Sequence, residues 1–173
     1  MENIDYTYLC NVIGNLTGIP IRLYKGNQPI LYHAIVHLPK DPLDAYKTDI
    51  LSIETHVGYY ITPHFHYYGV VSDGEHKVVI GPSMQTRNSE QAMRELAFQC
   101  DVSPEDTADF IIGMKSIVSM PLDSILQILC TMNYVMNNEK LGLGDIIIYD
   151  AEQQNLRAAL EQERAKYNFG SDL

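Results

Sequence analysis

The stretch that decides the fold is residues 58–71, GYYITPHFHYYGVV, a tyrosine-rich run with two histidines near its middle. Aromatic and β-branched residues dominate it, which predicts one long β-strand with a break or bulge at Pro63. Successive side chains of a strand point to opposite faces, so His64, His66 and Tyr68 share one face. Two imidazoles side by side raise the question of a metal site.

The residues after the histidines argue against that metal site. A glycine, five intervening residues and then His-x-His resemble the opening of the cupin metal motif, in which a glutamate comes about four residues after the second histidine. Val70 and Val71 stand there instead, and no histidine follows His76. A metal site needs three or four ligands, and this sequence offers two. We therefore predict no metal and no cofactor, and a cupin-like metal-binding protein remains an alternative.

The sequence on either side of this stretch predicts further strands and helices. Upstream lie a helix with apolar residues at helical spacing, a hairpin around Gly26-Asn27, and a helix of about three turns that begins at Asp41-Pro42. Downstream, a turn leads into the apolar run 77–82. The first half of the chain therefore predicts an antiparallel sheet of about five strands flanked by helices, an α+β fold. Upstream, the predicted first helix is 5–17, the two strands of the hairpin are 19–25 and 29–36, and the second helix runs from 41 to about 57.

The second half changes to helical periodicity. Segments beginning at residues 89, 103 and 122 carry apolar side chains at helical spacing, with Ser103-Pro104 as a start signal. Residues 151–167 are helical by propensity but have only a thin apolar face, which suits an exposed connector or a short coiled coil. We predict a sensory core in 1–88, a helical part of the same domain in 89–141, and a connector or dimerisation helix in 142–173.

Composition narrows the class of protein. A chain of 173 residues fits one domain, and its net charge of −10 with only 12 dispersed Lys and Arg argues against direct DNA binding. No apolar run is long enough to cross a membrane, and the start of the chain lacks the pattern of a signal peptide. We expect a cytoplasmic protein with no membrane partner and with reduced, buried cysteines.

No catalytic motif stands out. The sequence has no G-x-S-x-G, no phosphate-binding glycine loop and no H-E-x-x-H, so we predict that it is not an enzyme. Tyrosine and histidine present an apolar body with a polar tip, which suits the lining of a half-polar pocket, although covering a sheet face against helices is their commoner use. Arg22 alternates with apolar neighbours and is expected to face water unless it meets a ligand anion. The candidate ligand-binding residues are Arg22, Tyr32, Tyr59, His64, His66 and Tyr68.

Several segments, taken in order, resemble one protein family. They are LPKDPL (38–43), HVGYYITPHFHYYGVV (56–71), VVIGP (78–82), RELAFQCDV (94–102) and MKSIVSMPLDSILQILCTMNYVMNNEKL (114–141). Together they resemble the N-terminal region of AraC-type transcriptional regulators of Gram-positive bacteria, over roughly residues 4–150. In such proteins a pair of helix-turn-helix units that bind DNA follows this region. The resemblance implies that this chain is the sensor portion of a longer regulator and that the chain itself lacks the DNA-binding units.

The order of the predicted elements adds an expectation about the fold. A hairpin, a helix and further antiparallel strands follow one another as in PAS-like and GAF-like sensory domains, which hold a ligand between sheet and helices and commonly dimerise. We therefore predict a homodimer that binds a small-molecule effector and transmits binding through its C-terminal helix, with DNA bound only through the absent domain. Fold alone does not fix function, so a ligand-free interaction module is a further alternative.

Overall fold

The computed structural model describes residues 3–85 and 87–150, and within them it contains five α-helices, six strands and two short 3₁₀ helices. The helices are α1 Tyr6–Thr17, α2 Lys47–Leu51, α3 Glu90–Gln99, α4 Thr107–Lys115 and α5 Leu122–Asn137. The strands are β1 Ile21–Lys25, β2 Gln28–His33, β3 Val57–Ile61, β4 His66–Ser72, β5 His76–Met84 and β6 Ile147–Asp150. The 3₁₀ helices are Pro42–Ala45 and Leu143–Asp145.

The strands form one open, mixed sheet in the order β2-β1-β5-β4-β3-β6. All neighbours are antiparallel except β3 and β6, which pair in parallel from Gly58 opposite Ile147 to Ile61 opposite Asp150. The α+β class is confirmed, and the predicted five antiparallel strands are supplemented by a sixth, parallel one. Parallel strands need a long crossover, which here contains the helices α3 to α5.

Residues 58–71 form a hairpin, so the prediction of one long strand is wrong. β3 ends at Ile61 and β4 begins at His66. In the turn between them, the carbonyl of Thr62 accepts a hydrogen bond from the amide of Phe65 at 2.9 Å. Pro63 takes the second turn position, where its fixed φ fits, and Phe65 has a φ of +60°. The chain therefore reverses where a bend in a single strand was expected.

The local signals before this hairpin have mixed outcomes. The predicted first helix is confirmed: Asp5 caps α1 by accepting from the amide of Tyr8 at 3.0 Å, and Gly18 ends it with a φ of +74°. The β1–β2 hairpin around Gly26 is also confirmed. The three-turn helix expected after Asp41 is wrong, because a 3₁₀ helix followed by the five-residue α2 occupies this part of the chain.

The sheet has two differently covered faces. One face packs against α1 and α5 through apolar residues that include Ile21, Leu23 and Tyr59. The other face contributes Tyr24, Tyr60, Tyr68 and Val79 to a cluster with residues of the first 3₁₀ helix and α2. The helices α3 and α4 pack on each other and on the end of β5 at Met84. The central strands are therefore buried on both sides.

The C-terminal part of the described chain joins the sheet. Residues 142–150, predicted as the start of a connector, contain a 3₁₀ helix and β6, which extends the sheet beyond β3. The predicted connector helix 151–167 lies outside the described residues. All three cysteines are free; Cys10 and Cys100 are buried, whereas Cys130 is half-buried. Among the described residues, we find no helix with both the length and the apolar character needed to traverse a bilayer.

Candidate functional site

Arg22 forms the centre of the candidate site. It lies on β1 between Ile21 and Leu23, whose side chains face α1 and α5, so alternation along the strand directs Arg22 to the opposite face. Its side chain is only 2% exposed. The expectation that Arg22 faces water is therefore wrong, and a buried guanidinium needs a compensating charge.

Asp41 provides that charge through a bidentate contact. The Nε and Nη2 atoms of Arg22 donate to the two carboxylate oxygens of Asp41 at 2.7 and 2.6 Å. Burial disfavours the charged guanidinium, but the hydrogen bonds and the charge of Asp41 outweigh it and raise the pKa of Arg22 above its usual value. A planar guanidinium and a planar carboxylate match in this geometry, so the contact also fixes the orientation of both groups.

The remaining partners of Arg22 come from three other parts of the chain. Its Nη1 atom donates to the carbonyl of Gly81 at 2.7 Å. Its Cζ atom lies 5.2 Å from the ring centroid of Tyr32 and 5.8 Å from that of Tyr68, within the range of cation–π attraction. Burial raises the pKa of Tyr68 well above its usual value, so its hydroxyl stays protonated beside the arginine.

Asp41 has a second role at the start of the 3₁₀ helix. Its Oδ1 atom accepts a hydrogen bond from the amide of Leu43 at 2.9 Å, which caps the helix at Pro42. The cap was predicted from Asp41-Pro42, but the contact with Arg22 was not. One carboxylate therefore attaches the loop before the 3₁₀ helix to strand β1 of the sheet.

An open cleft of about 330 Å³ lies beside this ion pair. The β1–β2 hairpin contributes an apolar and aromatic wall that includes Tyr24, Ile30 and Tyr32, and the first 3₁₀ helix and α2 contribute the charged groups Asp44 and Lys47. The ring of Tyr32 is about half exposed and open to a ligand. The described residues that line the cleft include no histidine, cysteine or serine.

The six candidate residues fall into three places. Arg22, Tyr32 and Tyr68 come together beside the cleft. Tyr59 lies on the opposite face of the sheet, in the core under α1 and α5. His64 and His66 lie at the β3–β4 turn and do not line the cleft. Half of the candidate set therefore forms one cluster.

The two histidines form a separate cluster with Asn88. The side-chain amide of Asn88 donates to the carbonyl of His64 at 2.8 Å, and its Oδ1 atom accepts from Nε2 of His66. Burial lowers the pKa of His66; the hydrogen bond to Asn88 opposes this effect, and the neighbouring His64 adds to it. The ring centroids of the two histidines are 6.2 Å apart, and Nε2 of His64 is buried and has no hydrogen-bond partner among residues 3–85 and 87–150.

This histidine cluster offers too few ligands for the predicted alternative of a metal site. Among residues 3–85 and 87–150, no group of three His, Cys, Asp or Glu side chains lies close enough together to hold a metal ion. The described strands also form an open sheet with β2 and β6 at its edges, whereas a cupin requires a closed barrel. The side chain that completes the cluster is therefore the amide of Asn88, which links the β3–β4 turn to the segment before α3.

Sequence reasoning missed Asp44 and Lys47, which line the cleft, and Gly81, whose carbonyl accepts a hydrogen bond from Arg22. Asp44 and Lys47 follow a proline-capped turn and resemble ordinary surface charges, and Gly81 resembles the end of a strand. The one signal was an arginine embedded in an apolar strand, which needs an acidic partner if it is buried, but its partner Asp41 lies 19 residues away. No known family model and no curated protein matches this chain.

Proposed function

We propose that this chain is the ligand-binding and dimerising sensory domain of a transcriptional regulator, and that a small-molecule effector binds in the Arg22 cleft. The observation that carries the proposal is the fixed guanidinium of Arg22 beneath the half-exposed ring of Tyr32. The ring offers an aromatic surface at a water-accessible opening, and the exposed groups Asp44 and Lys47 beside it offer polar contacts, whereas the buried guanidinium supports the ring from below.

The wider architecture supports a sensory role. An open sheet with helices on both faces is compatible with the PAS-like or GAF-like arrangement expected from the order of elements. The proposal retains a cytoplasmic homodimer, with DNA bound through a helix-turn-helix domain outside this chain. The effector shifts the balance between two arrangements of the C-terminal segment by binding them with different affinity.

The charges in the cleft indicate the kind of compound to screen. Arg22 and Lys47 are balanced by Asp41 and Asp44, so the lining favours polar molecules of low net charge that combine donors and acceptors. An aromatic wall adds contact with a flat or ring-shaped body. Sugars and small cytoplasmic metabolites meet both requirements.

A thermal-shift screen tests the proposal. A ligand at about 100 times its Kd stabilises the folded state by about 2.7 kcal/mol, which raises the Tm of a chain of this size by about 5–10 °C. Tyr32→Ala should abolish the shift, because it removes the exposed ring. Phe98→Ala removes a still more exposed aromatic ring from α3 and should leave the shift unchanged.

Two results would contradict the proposal. A compound that stabilises the Tyr32→Ala variant as much as the wild-type protein binds at some other place. If no compound stabilises the wild-type protein, the ligand-free interaction module becomes the better explanation. The metal-binding alternative is not proposed, because its barrel and its third ligand are both missing from the described residues.

A further inference from the structure

The outer surface of α1 is uncharged and carries an apolar stripe, where a helix of this kind normally carries charged residues. Tyr8, Val12 and Leu16 follow one another at four-residue intervals and are 69%, 41% and 78% exposed. They point away from Cys10 and Gly14, which contact the sheet. The helix contains no Asp, Glu, Lys or Arg. A solvent-facing helix surface usually carries such residues, so this apolar stripe suits a protein contact.

The neighbouring helix α5 extends this surface. It covers the same sheet face as α1, and the only charged residue among its sixteen is Asp123 in the first turn. Its outward side includes the exposed apolar residues Tyr134 and Val135. By contrast, α3 carries Glu90, Arg94 and Glu95 within ten residues. The low charge is therefore particular to the α1–α5 layer.

The charge of the whole chain indicates what this layer contacts. Each copy carries a formal charge of −10, so two copies repel one another over most orientations. Repulsion is smallest where neither surface carries charge, and the α1–α5 layer is such a surface. A basic partner would instead be drawn to the acidic parts of the molecule. The occupant that fits best is a second copy of this chain.

The spacing of the stripe matches a contact with itself. Tyr8 and Leu16 each lie four residues from Val12, so the stripe is symmetric in spacing about Val12. In a two-fold contact the same surface meets itself, and antiparallel α1 helices would place Tyr8 opposite the partner's Leu16 at both ends. Side chains spaced by four residues form the ridges that interlock in the commonest helix packing.

We propose that the chain forms a two-fold homodimer through the α1–α5 layer, with α1 antiparallel to α1 of the second copy and Val12 near the axis. A stable dimer buries about 1,200–2,000 Å² in total, more than one helix stripe offers. The exposed residues of α5 supply additional area beside α1. This inference deepens the dimerisation part of the proposed function by assigning its surface, and it needs neither the cleft nor residues 151–173.

Two substitutions in the full-length chain test the contact. Tyr8→Glu and Leu16→Lys each place a charge opposite an apolar side chain, and each should raise the dimer Kd at least about tenfold, the loss expected for one central contact. Sedimentation velocity over a concentration series measures this change. Circular dichroism should show unchanged folding, because both side chains are mainly in solvent in the monomer.

Matched controls separate the contact from a general charge effect. Phe98→Glu makes the same change of charge at an exposed aromatic residue of α3, and Ile112→Lys does so at an exposed aliphatic residue of α4. Both controls should dimerise like the wild-type protein. If they weaken the dimer as much as the α1 variants, the layer is not the interface.

A mixing experiment tests the antiparallel arrangement. When the Tyr8→Glu and Leu16→Lys proteins are combined, one end of the mixed dimer pairs Glu with Lys and the other keeps the original Tyr8–Leu16 contact. The mixture should therefore dimerise more tightly than either variant alone, by about tenfold. No recovery on mixing contradicts the antiparallel register.

The remaining outcomes also decide the inference. A wild-type protein that stays monomeric at every concentration overturns it, as does a dimer that survives both α1 substitutions. If either end variant fails to fold, Val12→Asp at the centre of the stripe replaces it in the test, and this variant should disrupt the dimer. Failure of this inference can be told apart from failure of the ligand screen. The screen measures how much a compound raises the Tm, whereas sedimentation velocity measures whether the protein is a monomer or a dimer.

Discussion

Replacing Asp41 by Asn should destabilise the protein strongly, because it removes the charge that compensates the buried guanidinium of Arg22. The asparagine has nearly the same shape and keeps one carbonyl oxygen for the cap at Leu43 and for one bond to Arg22. It cannot accept the second hydrogen bond, because an amide nitrogen would meet the Nε donor of Arg22. The substitution therefore removes the negative charge and one hydrogen bond while it leaves the packing around the side chain unchanged.

The size of the effect follows from burial. Removing one partner of a buried ion pair costs about 3–5 kcal/mol, mainly because the other charge remains buried alone. Arg22 is 2% exposed, but Asp41 is 26% exposed, so water screens part of the loss. The cap is also retained. We therefore expect a loss near the lower end of that range, about 3 kcal/mol, against a total stability of about 5–15 kcal/mol.

Urea unfolding followed by circular dichroism measures the loss. With a slope of about 2 kcal/mol per M, a loss of 3 kcal/mol lowers the midpoint by about 1.5 M. Glu75→Gln is the matched control, because Glu75 pairs with Lys25 at 3.3 Å on the surface and should contribute less than about 1 kcal/mol. Adding Arg22→Met to Asp41→Asn should recover stability, since no unpaired charge then remains. A loss no larger than in the control would refute the reasoning.

Three further predictions concern other contacts. Gly81→Ala should lower stability by at least about 2 kcal/mol in urea unfolding, since its Cβ would lie 2.6 Å from the carbonyl oxygen of Tyr67 and φ is +147°. His66→Gln should flatten the fall in stability between about pH 7 and 5: the lowered pKa of His66 makes the unfolded chain bind more protons there. Despite burial, hydrogen bonds from the Tyr6 hydroxyl and backbone amides lower the pKa of Asp73, so Asp73→Asn should lose about 1 kcal/mol at pH 7. The difference should begin to shrink below about pH 4 and vanish once the pH is below the lowered pKa of Asp73.

The elements that could be predicted are those whose signals lie close together in the sequence. The cap at Asp5, the stop at Gly18 and the turn at Gly26 each act within a few residues of the element they bound. The β3–β4 turn also acts locally, but it has no glycine or asparagine, and its proline was interpreted as a bulge within a strand. Phe65 occupies a left-handed conformation that its side chain gives no reason to expect.

The rest depends on contacts between distant residues. The parallel pairing of β6 with β3 joins residues 147–150 to residues 58–61, and no local pattern specifies it. The burial of Arg22 depends on Asp41 and Gly81, which lie 19 and 59 residues away. An arginine between apolar residues on a strand is ambiguous without those partners. Candidate residues could therefore be chosen from the sequence, but their division between the cleft, the core and the turn could not.

The β1–β2 hairpin connects the two proposed surfaces. Arg22 and Tyr32 point toward the cleft, whereas Ile21 and Leu23 of β1 pack on the side of α1. A ligand that moves this hairpin would therefore act on the helix that carries the dimer contact. Such coupling is reciprocal: if the ligand changes the dimer Kd by some factor, dimerisation changes the ligand Kd by the same factor.

This reciprocity gives a final prediction for the intact protein. A saturating ligand should change the dimer Kd by about 5- to 150-fold, the usual range of coupling between two sites, and dilution series with and without ligand measure it. The Leu16→Lys protein should bind the ligand with the affinity of the monomer, so its ligand Kd should differ from that of the wild-type dimer by the same factor. Equal dimer Kd values with and without ligand would mean that the two faces of the hairpin act independently. Signal transmission would then have to follow the other route from the sheet, through β3 and its parallel partner β6 into the C-terminal segment.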